Sequence, residues 1–149
     1  FEYITFIGEP TLRLSLFAMA LFSICMDGDD WRRMRSVETQ KAMLMDRELL
    51  GGTGGVAKAL LQEIGGRPTA WIKNRYPYDG LYPLGSRFAH ECYYKNDGIL
   101  SMEEMMIATI QRFPDNCGVI FHNGLKRKSI QTIEHAHAII DPESRLLRL

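Results

Sequence analysis

Near the end of the chain, His135 and His137 stand two residues apart in HAH, a spacing that puts both imidazoles on one face of a β-strand. From one face they can share a metal ion, which neutral imidazole nitrogens bind well. No third ligand stands nearby at a recognisable spacing, Ile139 interrupts the alternation, and His90 and His122 are isolated. Histidines this sparse ordinarily satisfy local hydrogen bonds, so structural histidines without a metal are the expectation. Cys25, Cys92 and Cys117 are odd in number, far apart and form no C-x-x-C, so neither a disulfide framework nor a zinc ribbon is indicated. Reduced, partly buried thiols are expected. The glycine-rich GGTGGVAK is not a phosphate-binding loop, because Val56 and Ala57 separate Lys58 from Gly55 and Ala59 follows it.

The elements that must position these residues belong to one domain's worth of chain, 149 residues with a 46% hydrophobic composition. Eighteen basic residues balance eighteen acidic ones, so net charge steers the chain toward neither nucleic acid nor membrane. Leu14–Met26 is apolar, but as a helix it spans roughly 20 Å against the ~30 Å of a bilayer core. It reads as a helix buried on nearly all sides, with no membrane partner. Phe1-Glu2 lacks the basic start of a signal peptide.

Apolar residues at Phe1, Ile4, Phe6 and Ile7 suggest a helical stripe over 1–8, with a new helix starting near Pro10. Gly28 suits a left-handed cap, and Asp29 or Asp30 can cap the next helix. DWRRMRSVETQKAMLMDRELL reads as helix broken near Thr39, and Val56–Ile64 as a short helix. Gly65–Gly85 has the glycine, proline and tyrosine density of a long structured loop. SRFAHECYYKND reads as a helix with Phe88, Cys92 and Tyr93 inward, and Ser101 with Glu104 as the capping box of a helix over 102–113. GVIFHNG suggests a short strand and turn, and LKRKS a basic connection. Helices dominate this reading, so the expected class is mainly α.

FEYITFIGEPTLRL, followed by DGDDWRRMRS and SRFAHECYYKNDGIL, resembles the motifs of the ribonuclease III family. Phe1, Glu2, Ile4, Phe6, Ile7, Gly8, Leu12 and Leu14 fit the frame of the signature helix. Phe88, Tyr94, Asp97 and Gly98 follow the order of the second acidic helix. The resemblance implies a ribonuclease III-like helical domain over 1–113, lacking the family's helix before its signature, and a C-terminal extension of unknown structure over 114–149. That family's magnesium-binding carboxylates map onto Thr5 and Glu9, then onto Ser86 and Ala89, or onto Gly85 and Phe88 if Asp97 sets the alignment. One acid survives, and a single carboxylate does not hold magnesium in its octahedral geometry. Glu2 and Glu91 lie near these positions in sequence but on other helical faces.

The resemblance therefore implies a catalytically inactive domain without metal or cofactor. It would serve as a structural subunit of a large ribonucleoprotein, such as the large subunit of the mitochondrial ribosome in the matrix, or otherwise in the cytoplasm. Its partners would be structured RNA, protein subunits and a second ribonuclease III-like chain packed on Phe6. Arg32, Arg33, Arg35, Lys73, Arg75, Lys126, Arg127 and Lys128 are the candidate phosphate contacts, expected to weaken with rising salt. Two alternatives stand beside it. One is an active double-stranded-RNA endonuclease using Glu9 and Glu91; the other is a protein-only scaffold or RNA-editing accessory subunit.

Overall fold

The computed structural model describes residues 3–26, 31–122 and 133–144. Among these, the elements run β1 (Tyr3–Ile7), α1 (Leu12–Met26), α2 (Val37–Leu49), α3 (Thr53–Ile64), β2 (Thr69–Lys73), β3 (Ala89–Lys95), α4 (Met102–Arg112), β4 (Cys117–His122) and β5 (Glu134–Asp141). Short 3-10 turns occupy Trp31–Arg33 and Asp79–Leu81. The five strands form one antiparallel sheet in the order β1-β4-β5-β3-β2. The fold is α/β, which corrects the mainly α, ribonuclease III-like class expected above.

Two segments carry that correction. Tyr3–Ile7, expected as helix, pairs with β4 from Tyr3↔His122 to Ile7↔Gly118. Its residues are aromatic or β-branched, and five of them are too few for periodicity to separate helix from strand. Ala89–Lys95, also expected as helix, buries His90, Cys92 and Tyr94 and leaves the residues between them partly exposed. That is the alternation of a strand.

Other expectations hold or shift by a few residues. The helix near Pro10 begins at Leu12, where the Thr11 hydroxyl accepts the Leu14 N–H at 3.1 Å. The helix break lies at Ser36 rather than Thr39, because Ser36 Oγ accepts the Thr39 N–H at 3.2 Å. Asp79 reinforces this cap, accepting from Ser36 N–H at 2.8 Å and from the Thr39 hydroxyl at 2.7 Å. Burial alone would raise the Asp79 carboxyl; these donors outweigh it and hold the group below its ordinary value. The loop over 65–85 contains β2. Ser101 caps α4 by accepting the Glu104 N–H at 3.1 Å, as expected. The cap expected at Gly28 to Asp30 lies outside the described residues.

Packing makes three layers. On one face, Leu14, Phe17 and Leu21 of α1 meet Val119, Phe121 and Ile139, while Leu60 and Ile64 of α3 meet Ala70, Cys92 and Tyr94. On the other, Met105 of α4 meets Ile7, Ile120, Ala136 and Ile140. The segment after Pro114 is not an extension: its two strands hold the middle of the sheet, between β1 and β3. Helix α1 is buried along Leu14, Phe17, Ala18, Leu21 and Ile24, but Leu12 at 76% and Met26 at 70% are exposed, so it is not covered all round. Its start is tied to the end of β5, where the fully buried Asp141 accepts from the Thr11 hydroxyl at 3.1 Å and from Arg13 at 2.8 Å.

The β4–β5 crossing has no room for a side chain at Gly118. A Cβ there would lie 2.5 Å from Ile140 Cδ1 and 2.9 Å from the Ile139 carbonyl oxygen. The methyl group can move, whereas the carbonyl belongs to the central strand. Gly118→Ala is expected to lower stability by about 1–3 kcal/mol, measured by urea denaturation.

Candidate metal centre

Strands β3 and β5 pair with Cys92 opposite His137, Tyr94 opposite His135 and His90 opposite Ile139. Alternation therefore sends His90, Cys92, Tyr94, His135 and His137 to a single face, beneath α1 and α3. All five are buried. His90 Nε2 lies 2.9 Å from His137 Nδ1, and Cys92 Sγ lies 3.4 Å from the same nitrogen. The donor atoms of His90, Cys92 and His137 all fall within 4.8 Å of one another.

The surrounding groups orient this trio. The Tyr78 N–H donates to His90 Nδ1 at 3.3 Å, which puts the proton of a neutral His90 on Nε2, facing His137 Nδ1. Asn74 is held by its Oδ1, which accepts the Tyr76 N–H at 2.8 Å, and its amide nitrogen reaches Cys92 Sγ at 3.8 Å. Phe121 stacks on His137 at 5.0 Å between ring centroids, Tyr78 stacks at 5.6 Å, and the Arg35 guanidinium sits 4.8 Å above Tyr78. A surface cavity of about 230 Å³, lined by Lys73, Asn74, Pro77, Arg87 and His90 among others, leads to the edge of the cluster.

Burial dominates the electrostatics. It pulls His90 down to about 3, helped by the charge of Arg35 and by His135, and it takes His137 well below the ordinary histidine value. The Cys92 thiol is pushed up to about 12 by burial, against hydrogen bonds from Tyr94 and Asn74 and the charge of Arg35. Near neutral pH the imidazoles are uncharged and the thiol is protonated. Burial thus favours the thiol over the thiolate, the nucleophilic and metal-binding form. Two uncharged imidazoles and a thiol that loses its proton on ligation do form a donor set for a transition metal of borderline softness.

The expected site residues are placed otherwise. Thr5 lies on β1 opposite Ile120 and Ala89 on β3 opposite Ile140. Two strands separate β1 from β3, a gap of about 14 Å at ~4.8 Å per strand. Glu9 is exposed just past β1 and Ser86 lies in the loop before β3, so the four relict positions form no cluster. Glu91 pairs with Arg112 at 3.2 Å on the α4 side. Phe6 packs into the α1 core of its own chain.

The basic residues are likewise scattered in role. Arg32 and Arg33 are exposed, whereas Arg35 donates to the Tyr76 carbonyl at 2.8 Å. Lys73 lines the cavity, and Arg75 lies 3.6 Å from Glu63. Lys126, Arg127 and Lys128 fall outside the described residues, as does Glu2. HAH does lie on one face of a strand; the further donor-bearing side chains absent from its own neighbourhood in sequence come from H-x-C on the adjacent strand. The sequence signal was the alternation of His90, Cys92 and Tyr94, which helical periodicity obscures over so short a run.

No family model matches the chain, and no curated protein matches it. The crystal structure of HTC1 is similar over 81% of this chain and 82% of HTC1, with a TM-score of 0.52 and 16% identity. That likeness supports the fold alone.

The depressed imidazoles set a pH dependence. Between the ordinary histidine value of 6.5 and about 3, the folded state binds fewer protons at His90 than the unfolded chain does. Stability of the chelator-treated protein should therefore fall as pH drops through that window, by up to about 1.4 kcal/mol per pH unit for each such histidine. Urea titrations at pH 7, 6, 5 and 4 measure this, and His90→Gln should reduce the slope.

Proposed function

We propose that this chain is a metal-binding domain whose centre takes a divalent transition metal of zinc type on His90, Cys92 and His137. The convergence of three buried donor atoms from two paired strands carries this reading. A tetrahedral zinc ion bound at its usual ~2.0–2.3 Å spaces its ligand atoms about 3.3–3.8 Å apart. The 3.4 Å between Cys92 Sγ and His137 Nδ1 already meets that spacing, the 2.9 Å between His90 and His137 has to open by a few tenths of an ångström, and the third pair, His90 with Cys92, lies within 4.8 Å.

Ligation has a cost at His90. Its proton must leave Nε2 for Nδ1, where it faces the Tyr78 N–H. Losing that hydrogen bond and leaving the donor unmet costs about 1–3 kcal/mol. A structural zinc ion contributes about 10–16 kcal/mol at neutral pH, so the site tolerates the switch. The ion also replaces the proton on Cys92, turning a buried thiol into a ligand. The cavity beside Asn74 and His90 supplies an entry path.

Cobalt(II) titration of the metal-free protein tests the proposal, because a thiolate ligand to cobalt gives an intense near-ultraviolet charge-transfer band. One equivalent per chain should bind with that band, Cys92→Ser should abolish it, and His137→Ala should weaken binding. Zinc at about 100 times its Kd should raise stability by about 2.7 kcal/mol, reversed by a chelator. Wild-type protein that takes up no cobalt, or takes it up without a thiolate band, removes the proposal.

A further inference from the structure

Apolar residues run round the whole of α1, the composition of a helix covered on every side, yet the fold covers only one. Leu14, Phe17, Leu21 and Ile24 are buried toward the core. On the far side stand Leu12 at 76%, Met19 at 67% and Met26 at 70% exposure, spaced one heptad apart. Seven residues at about 100° each return to within about 20° of the start, so these three form a single crest. Leu16 at 45% and Phe22 at 52% flank it, one on each side. Arg13 is the only charged residue of the helix, and it lies off this arc, paired with Asp141 and Glu143.

With these exposures the five large side chains present about 600 Å² of apolar surface, the upper end of what a monomer shows to water. We propose that a second copy of this chain covers the crest, the two α1 helices packing antiparallel about a two-fold axis at Met19. The residue types are arranged symmetrically about that position. Leu16 and Phe22 lie three residues to either side of it, Ser15 and Ser23 four, Leu12 and Met26 seven. An isologous antiparallel pair brings positions equally far before and after Met19 to the same level. Leu12 then meets Met26 of the second copy. Leu16 and Phe22 pack over Ser23 and Ser15 of the second copy, large side chains into the gaps above small ones.

Two such faces remove about 1,200 Å² from water, above the ~1,000 Å² that a biological contact should clear. The antiparallel arrangement sets the N-terminus of each helix beside the C-terminus of the other, which the helix dipoles favour and a parallel pair would oppose. Little ordering is needed. The start of α1 is fixed by Thr11 and Arg13 on Asp141, and its body by Phe17 and Leu21 in the core. A membrane surface is the poorer match, because helices that lie on one carry basic residues beside the apolar face. The single base of α1 is already held by two carboxylates.

Sedimentation equilibrium on the full chain tests this, and the wild-type measurement needs no variant to fold. At about 100 μM, above the micromolar Kd that such an area supports, the wild type should be a dimer. Met19→Glu sets two carboxylates against each other on the axis and should weaken association at least about thirtyfold with circular dichroism unchanged, while Met19→Leu should keep the dimer. In a Cys25→Ser background, Met19→Cys should cross-link to itself on oxidation, whereas Leu12→Cys should cross-link only when mixed with Met26→Cys. A wild type that stays monomeric overturns the inference, as does a dimer that a folded Met19→Glu protein retains. Leu12→Cys that cross-links to itself overturns the antiparallel pairing. Monomers that sediment with phosphatidylserine vesicles, and lose that binding in Met19→Glu, overturn it in favour of a membrane. Each of these readouts is independent of metal, so the dimer stands or falls apart from the histidine–cysteine centre.

Discussion

The structure depends on the register of β5 between its two neighbours. Cys92 faces His137 on one side of that strand, and Val119 faces Ile139 on the other. Every residue of β5 after Glu134 is buried, so both faces of the strand are specified by packing. A slip of one residue would turn His135, His137 and Ile139 to the α4 side and bring Ala136, Ala138 and Ile140 beneath α1. Such a slip would also dissolve the histidine–cysteine cluster, since its members meet only through this pairing.

Holding so many polar rings in a dry core is expensive unless each is hydrogen-bonded. The chain's four histidines are all buried, and each is engaged: His90 with Tyr78 N–H and His137, His135 with the Ile133 carbonyl, and His122 with Glu134 on the opposite face. Arg35 adds a field to this arrangement from above Tyr78. Its positive charge opposes protonation of His90 and His137 and favours loss of the Cys92 proton. Uncharged imidazole and thiolate are the forms in which these side chains ligate a metal, so the field and the proposed chemistry agree in sign.

The loop over 74–81 that covers the cluster is fastened at several points. Arg35 donates to the Tyr76 carbonyl at 2.8 Å, the Tyr76 hydroxyl donates to Asp46 at 2.5 Å, and Gly80 N–H donates to the Met34 carbonyl at 3.0 Å. Gly80 permits that approach because a Cβ would meet the Arg33 carbonyl oxygen at 2.5 Å. Asp79 ties the same loop to the cap of α2. Asn74 and Tyr78 are thereby held against the cluster by a scaffold of side-chain and backbone hydrogen bonds, a precondition for any site whose donors must stay aligned within a fraction of an ångström.

Local chemistry was readable along the chain wherever a few adjacent residues decide the outcome. The Ser101 cap of α4, the helix beginning just after Pro10, the strand at GVIFH and the shared face of His135 and His137 all follow from neighbouring side chains. Short apolar stretches were not decidable in this way. Five residues at Tyr3–Ile7 and seven at Ala89–Lys95 fit a helical stripe or a pleat about equally, and the choice falls to whichever strand pairs beside them. The mainly α class expected from the sequence arose from those ambiguous stretches. Bringing residues 90 and 92 against residue 137, some 45 positions away, is the work of sheet order and register, which are properties of the whole chain's packing. Residue types thus marked the donors, and only the antiparallel ladder chose which of them meet.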